Sequence, residues 1–452
     1  MTPIFKSGDR TDLSNYRPIS ILPLLSKVFE KIVYKQIYEY LEQKNILFNN
    51  QFGFRQKKST TNAIINQLEY LYNNLDQNNY VFSLFIDFRK AFDSVDHEIL
   101  LSKLFFYGFR GPVYDWIKSY LTDRKQYSVI NSSNSSLLEI THGVPQGSNL
   151  GPLLFLLFIN DLPNASSFFK YILFADDSTL STVFSQNDLP KITRKINNEL
   201  TFLNKWLISN KISINVTKTK YMIFSYRRQI KLRTIKIGKS KILETDHVKF
   251  LGIMIDNRLK FNFHCNYIST KLSKQVGLLY KLSKYIPIEI LKLLYNTLFI
   301  PYINYGIEAW YGSFLNNTHK IFVLQKKSIR AINSLPYNFH TNDYFFSMNF
   351  LKLKDLYQYK ISIIIYRKLH SLDNSNLENF TAKLSDIHNY PTRNNNKYIL
   401  PRYKKNQSKF CIDYQGINIW NNIPDHIQNS SSLFKFKKLL NKYLISKYQP
   451  HA

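Results

Sequence analysis

Cysteine is nearly absent from this chain of 452 residues, which contains only Cys265 and Cys411. Two cysteines cannot form a disulfide framework, and they cannot supply the ligands of a zinc finger or zinc knuckle. A chain of this length can bury a large hydrophobic core without disulfide or metal crosslinks. Because so little cysteine is typical of proteins in reducing compartments, we expect an intracellular protein.

Long apolar runs are also missing. The longest, Leu153–Ile159, is far shorter than the roughly 18 residues that a membrane-spanning helix needs. The residues up to Asp9 are mostly polar and lack the apolar stretch of a signal peptide. The sequence therefore predicts neither a membrane-spanning segment nor a secretory leader.

Acidic residues are scarce relative to basic ones. Lys and Arg total 61 against 31 Asp and Glu, which gives a net charge of +30 and an isoelectric point near 9.7. Such an excess repels itself in a compact fold unless a polyanion binds, so nucleic acid is the first candidate partner and an anionic membrane surface is the second. Codon bias in an AT-rich genome is a further source of lysine and accounts for part of the surplus.

The spacing of apolar residues changes along the chain. A period near 3.6 predicts helices at 19–41, 60–75, 97–121, 151–161 and 187–209. Shorter apolar runs predict strands at 81–87, 169–175 and 178–184, a hairpin at 127–140, and strands at 212–214, 221–224 and 248–255 that complete a small sheet. After residue 257 the pattern is helical, at 264–285, 288–299, 317–333 and 351–370. Polar stretches at 372–376 and 394–397 predict a linker before a C-terminal piece at 398–448.

Three carboxylates stand at the ends of predicted strands. Asp87 follows the apolar run 84–86, and Asp176 and Asp177 follow the run 172–175 at a predicted hairpin turn. Carboxylates at the edge of a core repel one another when they are close, and a divalent cation with oxygen ligands removes that repulsion. Two such cations can align the attacking and leaving oxygens of a nucleotidyl transfer. The alternative is ordinary turn chemistry, because Asp is common in tight turns.

The residues around these carboxylates form a series of motifs. In chain order they are Asn15–Ser20, Gln51–Arg55, Phe85–His97, Gly143–Phe155, Tyr171–Asp177, Asn215–Thr219 and Lys249–Gly252. Together they resemble the motifs of reverse transcriptases of the non-LTR retrotransposon branch, the LINE-type and jockey/CR1-like elements. The segments Tyr302–Gly306, Leu324–Lys327 and Trp420–Pro424 resemble the same elements, so the resemblance covers essentially the whole chain.

The resemblance implies an α+β fold of the right-hand polymerase type, followed by a mostly helical C-terminal region. The implied boundaries are 1–80 for the fingers, 81–257 for a palm with an antiparallel sheet, 258–345 for a helical thumb, and 346–452 for a connector and C-terminal region. The chain begins inside the first fingers motif of the family. We therefore expect an N-terminally truncated chain, in which nothing encodes the endonuclease that elements of this type normally carry upstream.

The resemblance also implies a set of metal ligands. Asp87 and Asp176 would hold two Mg²⁺ ions, for which Mn²⁺ can substitute. Asp177 would complete the set, and the backbone carbonyl of Phe88 would be a further ligand. On this interpretation the three carboxylates are the catalytic centre.

Five other positions are implied to bind the incoming nucleotide: Arg55, Lys57, Phe92, Gln146 and Gly147. Phe92 would be a steric gate that clashes with a ribose 2′-OH, and Gln146 and Gly147 would approach the nucleotide and the template. Arg55 and Lys57 would neutralise the triphosphate. Without the resemblance, these residues would be interpreted as a core phenylalanine, a turn and a solvated basic loop.

Two further elements have implied roles. Lys218 would donate a proton to the leaving pyrophosphate, although its position fits a surface lysine equally well. Phe250, Leu251 and Gly252 would form a primer-grip hairpin.

The implied function is that of an RNA-directed DNA polymerase, which adds deoxynucleotides to a DNA 3′-OH on an RNA template. The expected partners are an RNA template, a DNA primer or target and dNTPs, with no membrane, in a ribonucleoprotein of the nucleus and cytoplasm. The sequence does not specify an oligomeric state. The alternative is a catalytically weak or inactive RNA- or DNA-binding remnant. An RNA-templated RNA polymerase is disfavoured because Phe92 stands at the gate position.

Overall fold

The computed structural model describes residues 1–6, 8–130, 133–312, 315–372, 383 and 397–449. The chain forms two compact units that alternate along the sequence. Unit 1 comprises Met1–Gln56, Phe82–Tyr221 and Ile230–Glu244, and unit 2 comprises Lys57–Val81, Met222–Gln229 and Thr245–Ala452. The four-part division into fingers, palm, thumb and C-terminal region stays a prediction. Most of the predicted linker lies outside the described residues.

The described residues contain fourteen strands. They are β1 (Thr2–Phe5), β2 (Tyr16–Ile19), β3 (Tyr80–Ile86), β4 (Lys125–Gln126), β5 (Val129–Ile130), β6 (Ser133–Asn134), β7 (Leu138–Glu139), β8 (Lys170–Phe174), β9 (Asp177–Phe184), β10 (Lys220–Phe224), β11 (Ile235–Ile237), β12 (Ser240–Glu244), β13 (His247–Phe250) and β14 (Ile253–Asp256).

Sixteen α-helices occur in the same part of the chain. They are α1 (Leu24–Gln43), α2 (Thr60–Asp76), α3 (His97–Phe106), α4 (Pro112–Leu121), α5 (Gly151–Ile159), α6 (Leu189–Ser209), α7 (Asn262–Leu282), α8 (Ile288–Leu294), α9 (Ile300–Asn304), α10 (Ile307–Trp310), α11 (Leu315–Ile332), α12 (Asn342–Ser347), α13 (Leu353–Leu369), α14 (Ile412–Trp420), α15 (Asp425–Gln428) and α16 (Leu433–Ser446). None of the helices among the described residues is long and apolar enough to cross a membrane.

A six-stranded sheet positions the predicted carboxylates. Its spatial order is β11, β12, β10, β3, β9, β8, and β8 and β9 form an antiparallel hairpin. Every residue of β3 is buried, which is the pattern expected of a strand that is covered on both faces. The predicted strands at 81–87, 169–175 and 178–184 are thereby confirmed. The mixture of helices with this sheet confirms the α+β class.

Two helices of unit 1 illustrate why the local sequence folds as it does. The helix α5 contains only apolar residues apart from glycine and proline, and it is buried on all sides. The helix α6 is amphipathic, because Ile192, Ile196, Leu200, Leu203 and Leu207 recur every three or four residues and are buried. Both helices were predicted from the apolar spacing.

Three predictions from the helical spacing and the hairpin pattern were wrong in detail. The helix predicted at 19–41 begins only at Leu24, because Ile19 pairs with Thr2 in the β1–β2 hairpin. The predicted helix at 97–121 is two helices, and Gly108 and Gly111 interrupt it with φ angles of +94° and +56°. The hairpin at 127–140 consists of two short ladders, β4 with β7 and β5 with β6.

Two of the strands assigned to the predicted sheet are also corrected. Residues 212–214 form no strand, although Ile214 makes an isolated bridge to Phe88. Residues 248–255 lie in a separate hairpin of β13 and β14. Strands β11 and β12, which the apolar pattern did not reveal, complete the six-stranded sheet instead.

Unit 2 is mostly helical, and its C-terminal residues pack on the helix α2. The side chain of Ser59 caps α2 by accepting a hydrogen bond from the backbone N–H of Asn62. The carboxylate of Asp76 accepts hydrogen bonds from the backbone N–H groups of Lys404 and Lys405, at 3.0 and 2.8 Å. The C-terminal region is thus an integral part of this unit.

Candidate active site

The first predicted carboxylate, Asp87, directly follows β3. Its backbone is fixed by the loop that contains Asn215 and Thr219. The backbone N–H of Asn215 donates to the carbonyl of Asp87 at 2.7 Å, and the N–H of Asp87 donates to the hydroxyl of Thr219 at 3.2 Å. Thr219 is fully buried. The loop therefore holds the backbone of Asp87 through both its N–H and its carbonyl group.

The other two carboxylates lie at the turn of the β8–β9 hairpin. Phe174 pairs with Asp177, so Ala175 and Asp176 are the two central residues of the turn. Ala175 has a φ angle of +54°, in the left-handed region that residues with a Cβ atom rarely adopt. Asp176 thus projects from a tight, strained turn between two buried strands.

Strand β9 lies beside β3 in the sheet, and this brings the carboxylates together. The hydroxyl groups of Ser83 and Ser181 are 2.8 Å apart across the two strands. Asp87 and Asp177 each lie four residues from this contact along their own strands. The sheet order makes β3 and β9 neighbours, which the spacing of the carboxylates along the sequence could not establish.

The pKa values of the hairpin carboxyl groups reflect this proximity. Both residues keep contact with solvent, while the protein atoms around them withdraw part of their hydration. This desolvation is the largest cause of the raised pKa of Asp176, and the charge of Asp87 raises it further. Desolvation and the charges of Asp176 and Asp87 raise the pKa of Asp177 to about 6. Positive charge on Lys6 opposes both shifts.

The donor set suits a divalent cation that also binds a substrate. Three mutually repelling carboxylates offer the hard oxygen ligands that Mg²⁺ prefers. Two backbone hydrogen bonds flank Phe88: the N–H of Asn215 donates to the carbonyl of Asp87, and the N–H of Arg89 donates to the carbonyl of Ser213. The carbonyl of Phe88 takes part in neither bond. Within the described residues, no three His, Cys, Asp or Glu side chains already surround one metal position.

The predicted gate residue Phe92 lies in the 3₁₀ turn Ala91–Ser94, shortly after Asp87. Its ring stacks on that of Phe155, with centroids 4.4 Å apart, and meets the edge of Phe54 at 6.3 Å. The carbonyl of Phe92 accepts a hydrogen bond from the N–H of Val144 at 2.9 Å. Phe92 is half-buried, so part of its ring remains accessible to a ligand.

The loop with Gln146 and Gly147 packs against two other segments. The side-chain amide of Gln146 donates to the carboxylate of Asp93 at 2.8 Å, and the backbone carbonyl of Gln146 accepts from the backbone N–H of Ser20 at 2.8 Å. Gly147 has a φ angle of +114°, and a Cβ atom there would lie 2.8 Å from the carbonyl oxygen of Ser20. The structure thus brings Gln146, Gly147 and Phe92 into one network in unit 1.

The side chain of Arg55 is occupied by neighbouring protein groups. Its guanidinium forms two hydrogen bonds with the carboxylate of Glu42, at 2.9 and 2.8 Å, and a third with the carbonyl of Phe48 at 2.9 Å. Only 8 % of the Arg55 side chain is exposed. In this arrangement Arg55 joins helix α1 to the loop that follows it. Its predicted contact with a triphosphate stays a prediction.

We expect Arg55→Lys to separate these two roles. A single ammonium group cannot reproduce the paired bonds of a guanidinium, so the free energy of unfolding should fall by about 1–3 kcal/mol. If Arg55 only joins α1 to the loop, the KM for dNTP measured on the folded fraction stays unchanged. A rise of the KM of tenfold or more would show that Arg55 also contacts the triphosphate. Thermal unfolding and steady-state incorporation measure the two effects separately.

The remaining predicted residues lie on exposed or separate elements. Lys57 is exposed and begins unit 2, and Lys218 is exposed in the loop that holds Asp87. The predicted primer-grip residues form the turn of the β13–β14 hairpin in unit 2. Leu251 and Gly252 have φ angles of +44° and +86°, as a type I′ turn requires. The hydroxyl of Tyr305 fixes this turn by donating to the carbonyl of Leu251 at 2.6 Å.

Two site residues had no role in the sequence analysis. The side chain of Gln51 is buried, and its carbonyl accepts hydrogen bonds from the backbone N–H groups of Ala175 and Gly53. Gln51 and Gly53 both belong to the motif Gln51–Arg55. Their contact with the hairpin could not be inferred, because the two segments lie more than a hundred residues apart in the chain.

Comparison with known proteins agrees with this geometry. Residues 4–255 match the family model described as reverse transcriptase (RNA-dependent DNA polymerase). The chain belongs to the reverse transcriptase family. The match begins within β1 and ends within β14, and it includes the three carboxylates, Phe92 and the loop of Gln146. The right-hand polymerase fold implied by the motifs is the fold of this family.

Several relatives of this chain are proteins of transposons and other mobile elements. The chain is 31 % identical over 334 residues to the probable RNA-directed DNA polymerase from transposon BS of Drosophila melanogaster. This alignment covers 72 % of this chain and 36 % of that protein. It is 26 % identical over 367 residues to the RNA-directed DNA polymerase from mobile element jockey of the same species, which covers 78 % and 40 %. These similarities confirm the resemblance to the non-LTR branch. The chain spans less than half the length of either relative.

The structure also aligns with a solved telomerase. For telomerase from Candida tropicalis in complex with a fragment of telomeric RNA, the TM-score is 0.39 at 12 % identity. The alignment covers 93 % of this chain and 57 % of that chain. The family assignment rests on the sequence match and not on this likeness.

Proposed function

We propose that this chain is an RNA-directed DNA polymerase of a non-LTR retrotransposon. The observation that carries the proposal is the approach of Asp87 to Asp176 and Asp177 at the ends of neighbouring strands, within the region that matches the family. The reaction would add a deoxynucleotide to a DNA 3′-OH on an RNA template and release pyrophosphate. The whole activity, including its substrates, is part of the proposal.

In this proposal the carboxylates of Asp87 and Asp176 hold two Mg²⁺ ions. Asp177 and the carbonyl of Phe88 complete the ligand set. When bound, the ions would neutralise the charge on the phosphates and align the attacking and leaving oxygens. The chain itself contributes carboxylates whose backbones are held by the loop at Asn215 and by the β8–β9 turn.

Other residues of unit 1 would select and orient the nucleotide. Phe92 would exclude a 2′-OH, and its stacking on Phe155 keeps the ring from moving aside. Gln146, held by Asp93 and by the backbone of Ser20, would contact the incoming nucleotide and the template. Lys218 is proposed as proton donor to pyrophosphate, because its loop is bonded to the backbone of Asp87. Lys57 is proposed to neutralise the triphosphate, and Phe250, Leu251 and Gly252 to support the primer.

The partners in this proposal are an RNA template, a DNA primer and dNTPs. A net charge of +30 supports binding to nucleic acid through many phosphate contacts, and such binding weakens steeply as salt rises. We propose that the protein acts as a ribonucleoprotein in the nucleus and cytoplasm. A remnant that binds nucleic acid without catalysis is the second candidate. The same charge supports it, and so does the lack of a preassembled three-ligand metal site among the described residues.

We expect Mg²⁺ to stabilise the chain in a pH-dependent way. The folded-state pKa of Asp177 is raised to about 6 from an ordinary value near 3.8, so its ionisation destabilises the fold as pH rises through this window. Mg²⁺ binds the ionised carboxylates and removes that repulsion. A thermal melt should therefore show a larger Mg²⁺-induced increase of Tm at pH 7.5 than at pH 5. An equal increase at both pH values, or the same increase in Asp176→Ala, would contradict a metal site here.

The experiment that tests the proposed function is primer extension with purified chain, an RNA template, an annealed DNA primer and Mg²⁺. The proposal predicts extension with dNTPs. Tight, salt-sensitive binding of the same duplex without extension would favour the remnant. Extension with NTPs in place of dNTPs would favour an RNA polymerase.

A further inference from the structure

The turn that presents Asp176 is attached to a segment of chain that precedes it by more than a hundred residues. The N–H of Leu173 donates to the carbonyl of Asn50 at 2.9 Å, and the N–H of Phe52 donates to the carbonyl of Leu173 at 2.8 Å. Gln51 lies between these two bonds and forms a parallel bridge with Leu173. Residues 50–52 therefore run along the last part of β8, up to the turn.

The side chain of Gln51 continues this attachment onto the turn itself. Its carbonyl oxygen accepts from the N–H of Ala175 at 3.1 Å and from the N–H of Gly53 at 2.9 Å. Only 2 % of Gln51 is exposed. A buried acceptor that bonds two buried backbone donors is a strong constraint, because losing it would leave both N–H groups without a partner.

The conformation of Ala175 explains why such a constraint is needed. A φ angle of +54° is unfavourable for alanine and persists only when surrounding contacts hold it. Gly53 allows this contact, because a Cβ atom at that position would lie 2.4 Å from the backbone nitrogen of Ala175. The next residue after Ala175 is Asp176, so the φ and ψ angles of Ala175 set the direction of its carboxylate.

We propose that Gln51 is a positioning residue, which fixes the direction of the Asp176 carboxylate by holding the N–H of Ala175. The inference deepens the proposed function and rests on it for its catalytic consequence. The side-chain oxygen of Gln51 is directed at the backbone N–H groups of Ala175 and Gly53. It acts through the turn, and Gly53 permits the close approach that this requires.

The test compares Gln51→Met with the control Gln43→Met. Methionine has a similar length and lacks the oxygen acceptor, and Gln43 is exposed at the end of α1 in the same unit. For Gln51→Met we expect kcat to fall by about 10–100-fold, the range typical of groups that orient metal ligands. The KM for dNTP and the affinity for the RNA–DNA duplex should change by less than about twofold, while the Mg²⁺ concentration for half-maximal rate rises.

These readouts separate positioning from a loss of folded protein. Partial unfolding would lower the amount of active chain without changing the Mg²⁺ requirement of the remainder. The proposal is therefore overturned if Gln51→Met lowers kcat at an unchanged half-saturating Mg²⁺ concentration. It is also overturned if Gln51→Met behaves like Gln43→Met.

A second measurement does not depend on activity. In hydrogen–deuterium exchange, the peptide that contains Ala175 should exchange at least about tenfold faster in Gln51→Met than in the parent, since its amide loses a buried acceptor. Binding of Mn²⁺, followed by electron paramagnetic resonance, should weaken in the same variant. Unchanged exchange and unchanged Mn²⁺ binding would overturn the inference. A parent chain that extends no primer would contradict the proposed function alone, and these two measurements would then decide the role of Gln51.

Discussion

The substitution Asp176→Ala should abolish nucleotide incorporation, lowering the rate by at least about 10³-fold. Asp176 lies at the tip of the β8–β9 hairpin, where the charge of Asp87 already raises the pKa of its carboxyl group. Removing this carboxylate removes a shared ligand of the proposed metal ions. Binding of RNA–DNA duplex should change little, because it depends on many dispersed lysines and arginines. Primer extension and a duplex-binding titration measure the two properties side by side.

The matched control is Asp115→Ala. Asp115 is an exposed aspartate of α4 in the same unit and carries the same charge. The control should retain the parent rate, which would show that the loss in Asp176→Ala is not a general effect of net charge. Measurable extension by Asp176→Ala, within tenfold of the parent, would contradict the assignment of the catalytic carboxylate.

The second large effect is expected at the gate. Phe92→Ala should raise the use of NTPs relative to dNTPs by about 10–100-fold, because the ring that would clash with a 2′-OH is removed. The ratio of kcat/KM for NTP and dNTP is the quantity to measure. This ratio does not depend on the fraction of folded enzyme. It is therefore unaffected by the stability lost with the stacking on Phe155.

Phe106→Ala serves as the control for Phe92→Ala. Phe106 is 85 % exposed at the end of α3, so its removal should leave the ratio at the parent value. If the NTP/dNTP ratio of kcat/KM in Phe92→Ala equals that of the parent, Phe92 is not the steric gate. The interpretation of this residue as a simple core phenylalanine would then be correct.

The hairpin of the candidate site could be predicted closely from the sequence. An apolar run precedes Asp176 and a strand-like segment follows Asp177, and this pattern predicts two strands with the carboxylates at the turn between them. The strand β3 was equally clear, because its mostly apolar residues predict a strand covered on both faces. Its place beside β9 was not predicted. For these elements the local pattern of apolar residues was sufficient to predict the strand.

The errors occurred where contacts distant in the chain decide the structure. Residues 212–214 alternate like a strand, yet Ile214 forms only an isolated bridge with Phe88, and the carbonyl of Ser213 accepts from the N–H of Arg89. The same limit applies to Gln51 and Arg55. Arg55 fitted a solvated basic loop and Gln51 had no assigned role, yet Arg55 holds helix α1 and Gln51 holds the β8–β9 turn. No local pattern encodes such partners.

The most direct test of the account is RNA-templated primer extension by the purified chain in Mg²⁺, with dNTPs and NTPs compared on the same annealed DNA primer. The account predicts extension by dNTPs, little extension by NTPs, and none in Asp176→Ala. Duplex binding without any extension by the parent would contradict it, and so would extension that survives the loss of Asp176.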